Sequence, residues 1–173
     1  GIFRSPDDVT DPCPAIVQGP GWLGLKDAKL YLPYHEALTT AGYQVLIFDY
    51  RGFGDSDGDR GLLLPGLQLE DLINAVTYLT TRDDVDQDNI GVFGSGGTGG
   101  GNAVLLAATD RRIRVAVSQV PVADGEDWLH RMRREYEWRE FLDRIDADRR
   151  ERVVSGVGEM VHPREEIMIA TPE

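Results

Sequence analysis

The strongest constraint on the fold is an alternation of strand-like and helix-like segments along the chain. Between the strand-like runs, apolar residues recur at helical spacing, as at Leu69, Leu72, Val76 and Leu79, and predict amphipathic helices. Strands that are apolar along nearly their whole length have both faces covered, so this order predicts an α/β fold, a parallel sheet with helices on both faces. The predicted strands are Pro14–Gln18, 43–50, 88–93 and Ile113–Val122.

The chain after Asp124 has a different character. It is helical in pattern, with Trp138 and Phe141 on an apolar stripe and with acidic and basic residues interleaved almost one for one. Such interleaving is typical of a solvated, salt-bridged face rather than of an anion site. We therefore expect residues 1–173 to form one domain, in which 126–173 is a helical lid or covering segment.

Composition excludes several classes of function. The 173 residues carry a net charge of −12, which disfavours contact with nucleic acid because a phosphate backbone repels an acidic surface. A single cysteine allows no internal disulfide, and no His or Cys pairs stand at ligand spacing, so we expect no metal and no cofactor. Without an apolar run of membrane-spanning length or a signal-like start, the sequence predicts a soluble, cytoplasmic protein.

The stretch "GSGGTGGG", residues 94–101, stands between the third predicted strand and a helix. Gly94, Gly96 and Gly99 spell the G-x-G-x-x-G pattern of dinucleotide-binding turns. That site also needs an acidic residue at the end of the next strand, where this chain has Pro121 and only later Asp124. Nucleotide binding therefore remains the less favoured interpretation.

The alternative strand-turn-helix motif is the nucleophile elbow, G-x-S-x-G. The segments "FDYRGFGDSDG", "DNIGVFGSGGTGGGNAVLLAA" and "RIRVAVSQVPVADG" resemble the central part of an α/β-hydrolase, in the branch of X-Pro dipeptidyl-peptidases and esterases. The resemblance covers Pro14 to Gly125. It implies an incomplete α/β-hydrolase fold, with one or more early strands absent before Pro14, and a hydrolase acting on an ester, amide or thioester carbonyl of a small acyl substrate.

The resemblance also implies an oxyanion hole. Pro20 and Gly21 stand where relatives have His-Gly, so the backbone N–H of Trp22 would be one donor. The second donor in the family is the residue after the nucleophile, which is Gly97 here. Gly21 is then a pocket residue, together with Tyr31, His35 and Tyr50.

The nucleophile position falls on Gly96, which has no attacking oxygen. Either the reaction uses a displaced nucleophile or water, or a serine has been replaced at this position. Ser95 and Thr98 are the neighbouring hydroxyls, although Ser95 is expected to serve the turn and Thr98 to cap the helix. The alternative function is a catalytically silent relative that binds a small molecule or a partner protein.

The other members of a catalytic triad are not evident. His130 and His162 are expected to be surface residues, and His35 a helix-face histidine near the pocket. The acid and base would come from polypeptide outside these residues or from a partner chain. Asp49 and Arg51 are expected to stabilise their loop. Because an incomplete sheet exposes strand edges, we expect self-association or a second chain that completes the fold.

Overall fold

The sheet of this protein has five strands in the order β1-β3-β2-β4-β5. β2 pairs in parallel with β3 and β4, and β4 with β5, whereas β1 is antiparallel to β3. The predicted parallel sheet is therefore confirmed, with an antiparallel edge that the sequence did not predict. The strands are β1 Ile2–Arg4, β2 Cys13–Gly19, β3 Gln44–Ile47, β4 Val85–Ser95 and β5 Ile113–Gln119.

One strand, β1, precedes Pro14, and the absence of one or more other early strands stays a prediction. Only three residues pair, Ile2 with Ile47 through Arg4 with Val45. A strand this short lacks the run of alternating or continuous apolar residues on which strand prediction depends. It is recognisable only through its partner β3.

A computed structural model describes residues 1–7, 11–22 and 24–168. The chain forms two compact units, Gly1–Ala123 and Asp124–Glu173. Within the described residues, no helix combines the length and the apolar character needed to cross a bilayer.

Helices cover both faces of the sheet in the first unit. Alternate residues of a strand face opposite sides, and Ala15 and Val17 of β2 face a fully buried core. That core is built with α2 and α3, whose buried members are Leu72, Val76, Leu79, Ala103 and Leu106. Gln18, the residue after Val17, faces α1 on the other side. The helices are α1 Leu32–Thr40, α2 Pro65–Leu79 and α3 Gly96–Thr109, with a 3₁₀ turn at Lys29–Tyr31.

Several predicted boundaries are corrected by the backbone. Strand β3 ends at Ile47 rather than at residue 50, and β4 is Val85–Ser95 rather than 88–93. The sequence pattern predicts a helix over Gly99–Ala108, but α3 begins at Gly96, so most of the glycine run is helical. Strand β5 ends at Gln119 rather than Val122. Val120 has a φ of 49°, a left-handed conformation that a strand cannot contain, and Pro121 follows it.

The second unit is helical, as predicted, with α4 at Gly125–Arg131 and α5 at Glu135–Ser155. The Asp124 side chain caps α4 by accepting from the Asp127 N–H. Trp138 is buried there and stacks on His130 and Phe141, with ring centroids 4.8 Å and 5.7 Å away. The predicted aromatic stripe of α5 therefore packs within this unit.

Candidate active site

Gly96 is the first residue of α3 and makes the sharp turn that follows β4. Its φ is +79°, a left-handed conformation that glycine adopts without steric cost. A Cβ placed on Gly96 would stand 3.1 Å from Gly21 Cα and 3.8 Å from the Trp22 nitrogen. A side chain at position 96 would therefore begin directly beside the backbone that the sequence marks as an oxyanion donor.

The other glycines of the run allow two backbone segments to cross the first turns of α3. A Cβ on Gly99 would lie 2.7 Å from the Gly19 carbonyl oxygen and 2.8 Å from that of Pro20. The second segment is 119–122, whose Val122 N–H donates to the Gly97 carbonyl at 3.0 Å. Close backbone approach is the reason for the glycines. Side chains would crowd this second segment at Gly97, Gly100 and Gly101.

The loop after β2 is closed by hydrogen bonds of Gly21 on both sides. The Gly21 N–H donates to the Tyr31 hydroxyl at 3.0 Å, and the Gly21 carbonyl accepts from the Gly24 N–H at 2.8 Å. A trans peptide is planar, so the second bond sets the plane that contains the Trp22 nitrogen. The loop is thus held in one orientation opposite Gly96.

The two hydroxyls near the elbow have different environments. Ser95 is the N-cap residue of α3, and its Oγ donates to Gln119 Oε1 at 3.0 Å instead of capping the helix. Thr98 lies inside the helix with its Oγ1 buried and without a hydrogen-bond partner among the described residues. The expectation that Thr98 caps α3 is therefore wrong, because the helix starts two residues before it.

Behind the loop lie three side chains that are almost fully buried. Their exposed fractions are 3% for Tyr31, 1% for His35 and 4% for Tyr50. His35 Nε2 is 2.5 Å from Gln18 Oε1, and its ring stacks on Tyr31. Burial lowers the pKa of His35, and the charge of Arg4 lowers it further. His35 thus lies on a face of α1, as predicted, and that face is buried behind the loop, where the ring is neutral.

Tyr50 belongs to a separate buried polar group. Its hydroxyl accepts from Asn102 Nδ2 at 3.3 Å, and the same amide donates to Gln68 Oε1 at 2.9 Å. Burial raises the pKa of Tyr50 far above its ordinary value, so the phenol stays protonated. This group links α2 and α3 to the end of the sheet.

Asp49 ties the loop after β3 to the loop after β2. Its carboxylate accepts from the Lys26 N–H at 2.8 Å and from Lys26 Nζ at 2.5 Å, and also from the Asp55 N–H at 3.1 Å. Burial raises the pKa of Asp49, but these hydrogen bonds outweigh burial and the net pKa is lowered. The predicted stabilising role of Asp49 is confirmed.

Arg51 continues this arrangement toward α2. Its Nε donates to Asp71 Oδ1 at 2.7 Å, and its N–H donates to Asp71 Oδ2 at 2.9 Å. The ion pairing predicted for Arg51 is confirmed, but the prediction that its bonds are local is wrong, because its partners Glu70 and Asp71 lie on α2.

The two remaining histidines lie in the second unit. His130 stacks on Trp138 and contacts Glu135 at 3.3 Å, while His162 Nδ1 accepts from the Glu165 N–H at 3.3 Å. Among the residues that the structure describes, no group of three or more His, Cys, Asp or Glu side chains could hold a metal ion.

The elbow, the facing loop and the sheet order agree with a family match over most of the chain. Residues 2–150 match the model of the X-Pro dipeptidyl-peptidase (S15) family. The chain belongs to this family. Its fold is that of the α/β-hydrolases, of which these residues form a part.

Individual relatives agree with this assignment. The chain is 36% identical over 133 residues to an uncharacterized 31.7 kDa protein of the traX-finO intergenic region of Escherichia coli, covering 77% of this chain and 46% of that protein. It is 34% identical over 114 residues to the thiohydrolase aneE of Aspergillus aculeatus, covering 65% and 35%. The S15-family chain thus spans less than half the length of these curated relatives.

A solved structure supports the fold. The α/β-hydrolase GrgF from Penicillium is 25% identical, with a TM-score of 0.72 over 94% of this chain and 57% of that one. The matches named for a hydrolase activity include a thiohydrolase and an acetyl xylan esterase. The chain is therefore a member of a hydrolase family.

Three contributors to the site were missed by sequence reasoning. Gln18 holds His35, Gln119 holds Ser95, and Lys26 holds Asp49. Each pair joins segments that are distant in sequence, and no local pattern marks such partners. Only the position of Gln18 and Gln119 at the carboxyl ends of β2 and β5, the two parallel strands that flank β4, could have drawn attention to them.

Proposed function

We propose that this protein is an acyl hydrolase that binds the carbonyl of an ester, amide or thioester at the elbow. One distance carries this proposal. A Cβ atom placed on Gly96 would lie 3.8 Å from the backbone nitrogen of Trp22. The substrate carbonyl carbon faces position 96, and its oxygen lies between the N–H groups of Trp22 and Gly97.

The two donors suit a developing negative charge. Gly97 stands in the first turn of α3, where N–H groups have no partner within the helix and the helix dipole is positive. Preorganised oxyanion donors contribute roughly 3 to 4 kcal/mol each to the stabilisation of the transition state. The relative named a thiohydrolase supports an acyl substrate of the thioester class.

Hydrolysis adds water across the acyl bond and releases an acid and an alcohol, amine or thiol. Gly96 supplies no oxygen, so in this chain the attack comes from water or from a displaced hydroxyl, with Ser95 and Thr98 as candidates. Thr98 is the weaker of the two because its oxygen is buried inside α3. The base that takes the proton, and its acid partner, come from polypeptide outside these residues or from a second chain.

A second candidate function is favoured by the same elbow. A relative without catalysis that binds a small molecule or partner protein needs the loop and the helix start but not the nucleophile. Gly96 lacks a side chain, and the Ser95 hydroxyl is engaged with Gln119. Both observations fit a site that binds without reacting.

Labelling with a fluorophosphonate probe tests these functions, applied to the protein and to Gly96→Ser and read by mass spectrometry. Labelling forms an oxygen–phosphorus bond and releases fluoride and a proton. Label at Ser95 or Thr98 in the unchanged chain supports the enzyme. Label only at position 96 of the variant supports the silent binding protein. No label in either protein, when the polypeptide that supplies the base is present, contradicts the proposed site.

Two further expectations belong to this proposal. Residues 126–173 are proposed as a lid or covering segment, and a cytoplasmic location is proposed for the protein. Membership of a hydrolase family supports acyl chemistry over nucleotide binding. Absence of a thermal shift with millimolar NAD or ATP would remove the nucleotide alternative.

A further inference from the structure

Tyr31 ends beneath the loop that faces Gly96. Its side chain is buried, and its hydroxyl accepts the Gly21 N–H at 3.0 Å. A Cβ at Gly24 would collide with the same oxygen. The loop therefore packs against this hydroxyl at both Gly21 and Gly24.

The hydroxyl acts on the orientation of the Trp22 N–H through two adjacent peptides. Tyr31 fixes the peptide that ends in the Gly21 nitrogen, while the bond from Gly24 fixes the carbonyl of the next peptide. In a trans peptide the N–H points opposite to the carbonyl. The Trp22 N–H is consequently directed away from Gly24, and Gly21 Cα, between the two fixed peptides, stands 3.1 Å from the Cβ position of residue 96.

Tyr31 is itself held from behind. Its ring stacks on His35 with centroids 6.3 Å apart and planes 25° apart. His35 in turn contacts Gln18 near the end of β2. A row of three buried side chains thus connects the sheet to the loop.

We propose that Tyr31 is a positioning residue whose hydroxyl orients the Trp22 N–H toward the substrate oxygen. This inference rests on the proposed function, because the N–H matters only where an acyl oxygen binds. It assigns to Tyr31 a role through the backbone, not contact with substrate.

The test removes only the hydroxyl, with Tyr31→Phe. Tyr78→Phe is the matched control, since its hydroxyl also accepts one hydrogen bond, from Arg82 at 3.1 Å on the far end of α2. The first measurement is amide hydrogen exchange by NMR in the otherwise unchanged chain. We expect the Gly21 amide to exchange roughly tenfold faster in Tyr31→Phe, relative to the Val17 amide of β2, and unchanged in the control.

The second measurement is the rate of fluorophosphonate labelling in the Gly96→Ser background. At saturating probe, Tyr31→Phe is expected to lower the rate roughly tenfold to a hundredfold while leaving the half-saturating concentration unchanged. A residue that only supports the fold would not lower the rate in protein that remains folded.

The outcomes are separable. Unchanged exchange at Gly21 overturns the positioning role, whatever the labelling shows. Faster exchange with an unchanged labelling rate also overturns it, because the loop then moves without effect on the site. Complete absence of label in Gly96→Ser, measured with the polypeptide that supplies the base present, counts against the proposed function and therefore against any role of Tyr31 in it, even where exchange at Gly21 rises.

Discussion

Lys26 holds Asp49 through both its backbone and its side chain, with N to Oδ1 at 2.8 Å and Nζ to Oδ2 at 2.5 Å. The carboxylate is almost fully buried, and it also accepts the Asp55 N–H. A second carboxylate, Asp55, contacts the same Nζ but is 90% exposed. Asp49 and Asp55 are thus a buried and an exposed partner of the same lysine and can be compared directly.

Asp49→Asn is expected to lower the free energy of unfolding by about 2 kcal/mol, since it removes charge-assisted hydrogen bonds from a buried group. Asp55→Asn is the control and is expected to change it by less than about 1 kcal/mol, because the side chain is exposed to solvent. Urea unfolding at pH 7 measures both. Equal effects would contradict the assignment of Asp49 as the residue that joins the two loops.

Gly96→Ser is expected to lower the free energy of unfolding by about 1 to 2 kcal/mol. The residue has a φ of +79°, and its new Cβ would press on Gly21 Cα at 3.1 Å. Gly66→Ser is the control, because Gly66 is in the first turn of α2 with nothing within 4 Å of its Cβ position. A stability of Gly96→Ser equal to that of the control would show that the elbow is less constrained than described.

Gly99→Ala is expected to be the more damaging substitution, at about 3 kcal/mol. Its methyl group would meet two backbone carbonyl oxygens, of Gly19 and Pro20, which cannot rotate away. Gly66→Ala is expected to stabilise α2 by up to about 1 kcal/mol, since alanine is the better helix former. Thermal unfolding distinguishes the two, and a tolerated Gly99→Ala would refute the close crossing.

The lowered pKa of His35 predicts that the free energy of unfolding falls on mild acidification. Its pKa is lowered in the folded state by burial and by Arg4, so the unfolded chain binds the proton first. The stabilisation is therefore complete above pH 6.5 and is lost as the pH falls through 6.5 toward the lowered folded value. Unfolding free energies at pH 7.5 and 5.5 measure the loss. His35→Gln should reduce this difference, and an unchanged difference would assign it to other groups.

The edge strand β5 predicts self-association or the binding of a second chain. Val115 and Val117 are each 52% exposed and border an apolar groove of about 480 Å³ beside α1. Replacing both with lysine should reduce association measured by light scattering at several concentrations. The control replaces the more exposed Val153 and Val154 of α5 in the same way. A monodisperse monomer before any substitution would contradict the prediction.

Local sequence signals predicted the order of helices and strands but not the features that depend on contacts between distant segments. Apolar runs and helical spacing predicted β2 to β5 and α1 to α3, because burial on both faces leaves a direct trace in composition. Strand β1 and the early start of α3 were missed. The first depends on pairing with β3, and the second on glycines that are poor helix formers but are packed against crossing backbone.

The candidate site was predicted in the same uneven way. The elbow and the loop of Gly21 and Trp22 follow from motif positions, whereas the contact of Tyr31 with Gly21 requires the folded chain. The same holds for His35, whose burial against Gln18 is set by the packing of α1 on the sheet. Periodicity reports which face is buried, but it does not report which polar atoms meet there.

The crossing of α3 by two backbone segments also bears on how this elbow can change in evolution. Four glycines of this region have neighbouring atoms too close to their Cβ positions to admit a side chain: Gly94, Gly97, Gly99 and Gly100. Replacing any of them would lower the stability of the fold, whether or not the protein is a catalyst. Position 96 differs, because its Cβ would point across the elbow at the opposite loop. Selection for a folded chain alone would therefore keep the glycines of a hydrolase elbow even after the nucleophile had been replaced. The glycine pattern by itself then indicates common descent with hydrolases and not catalysis.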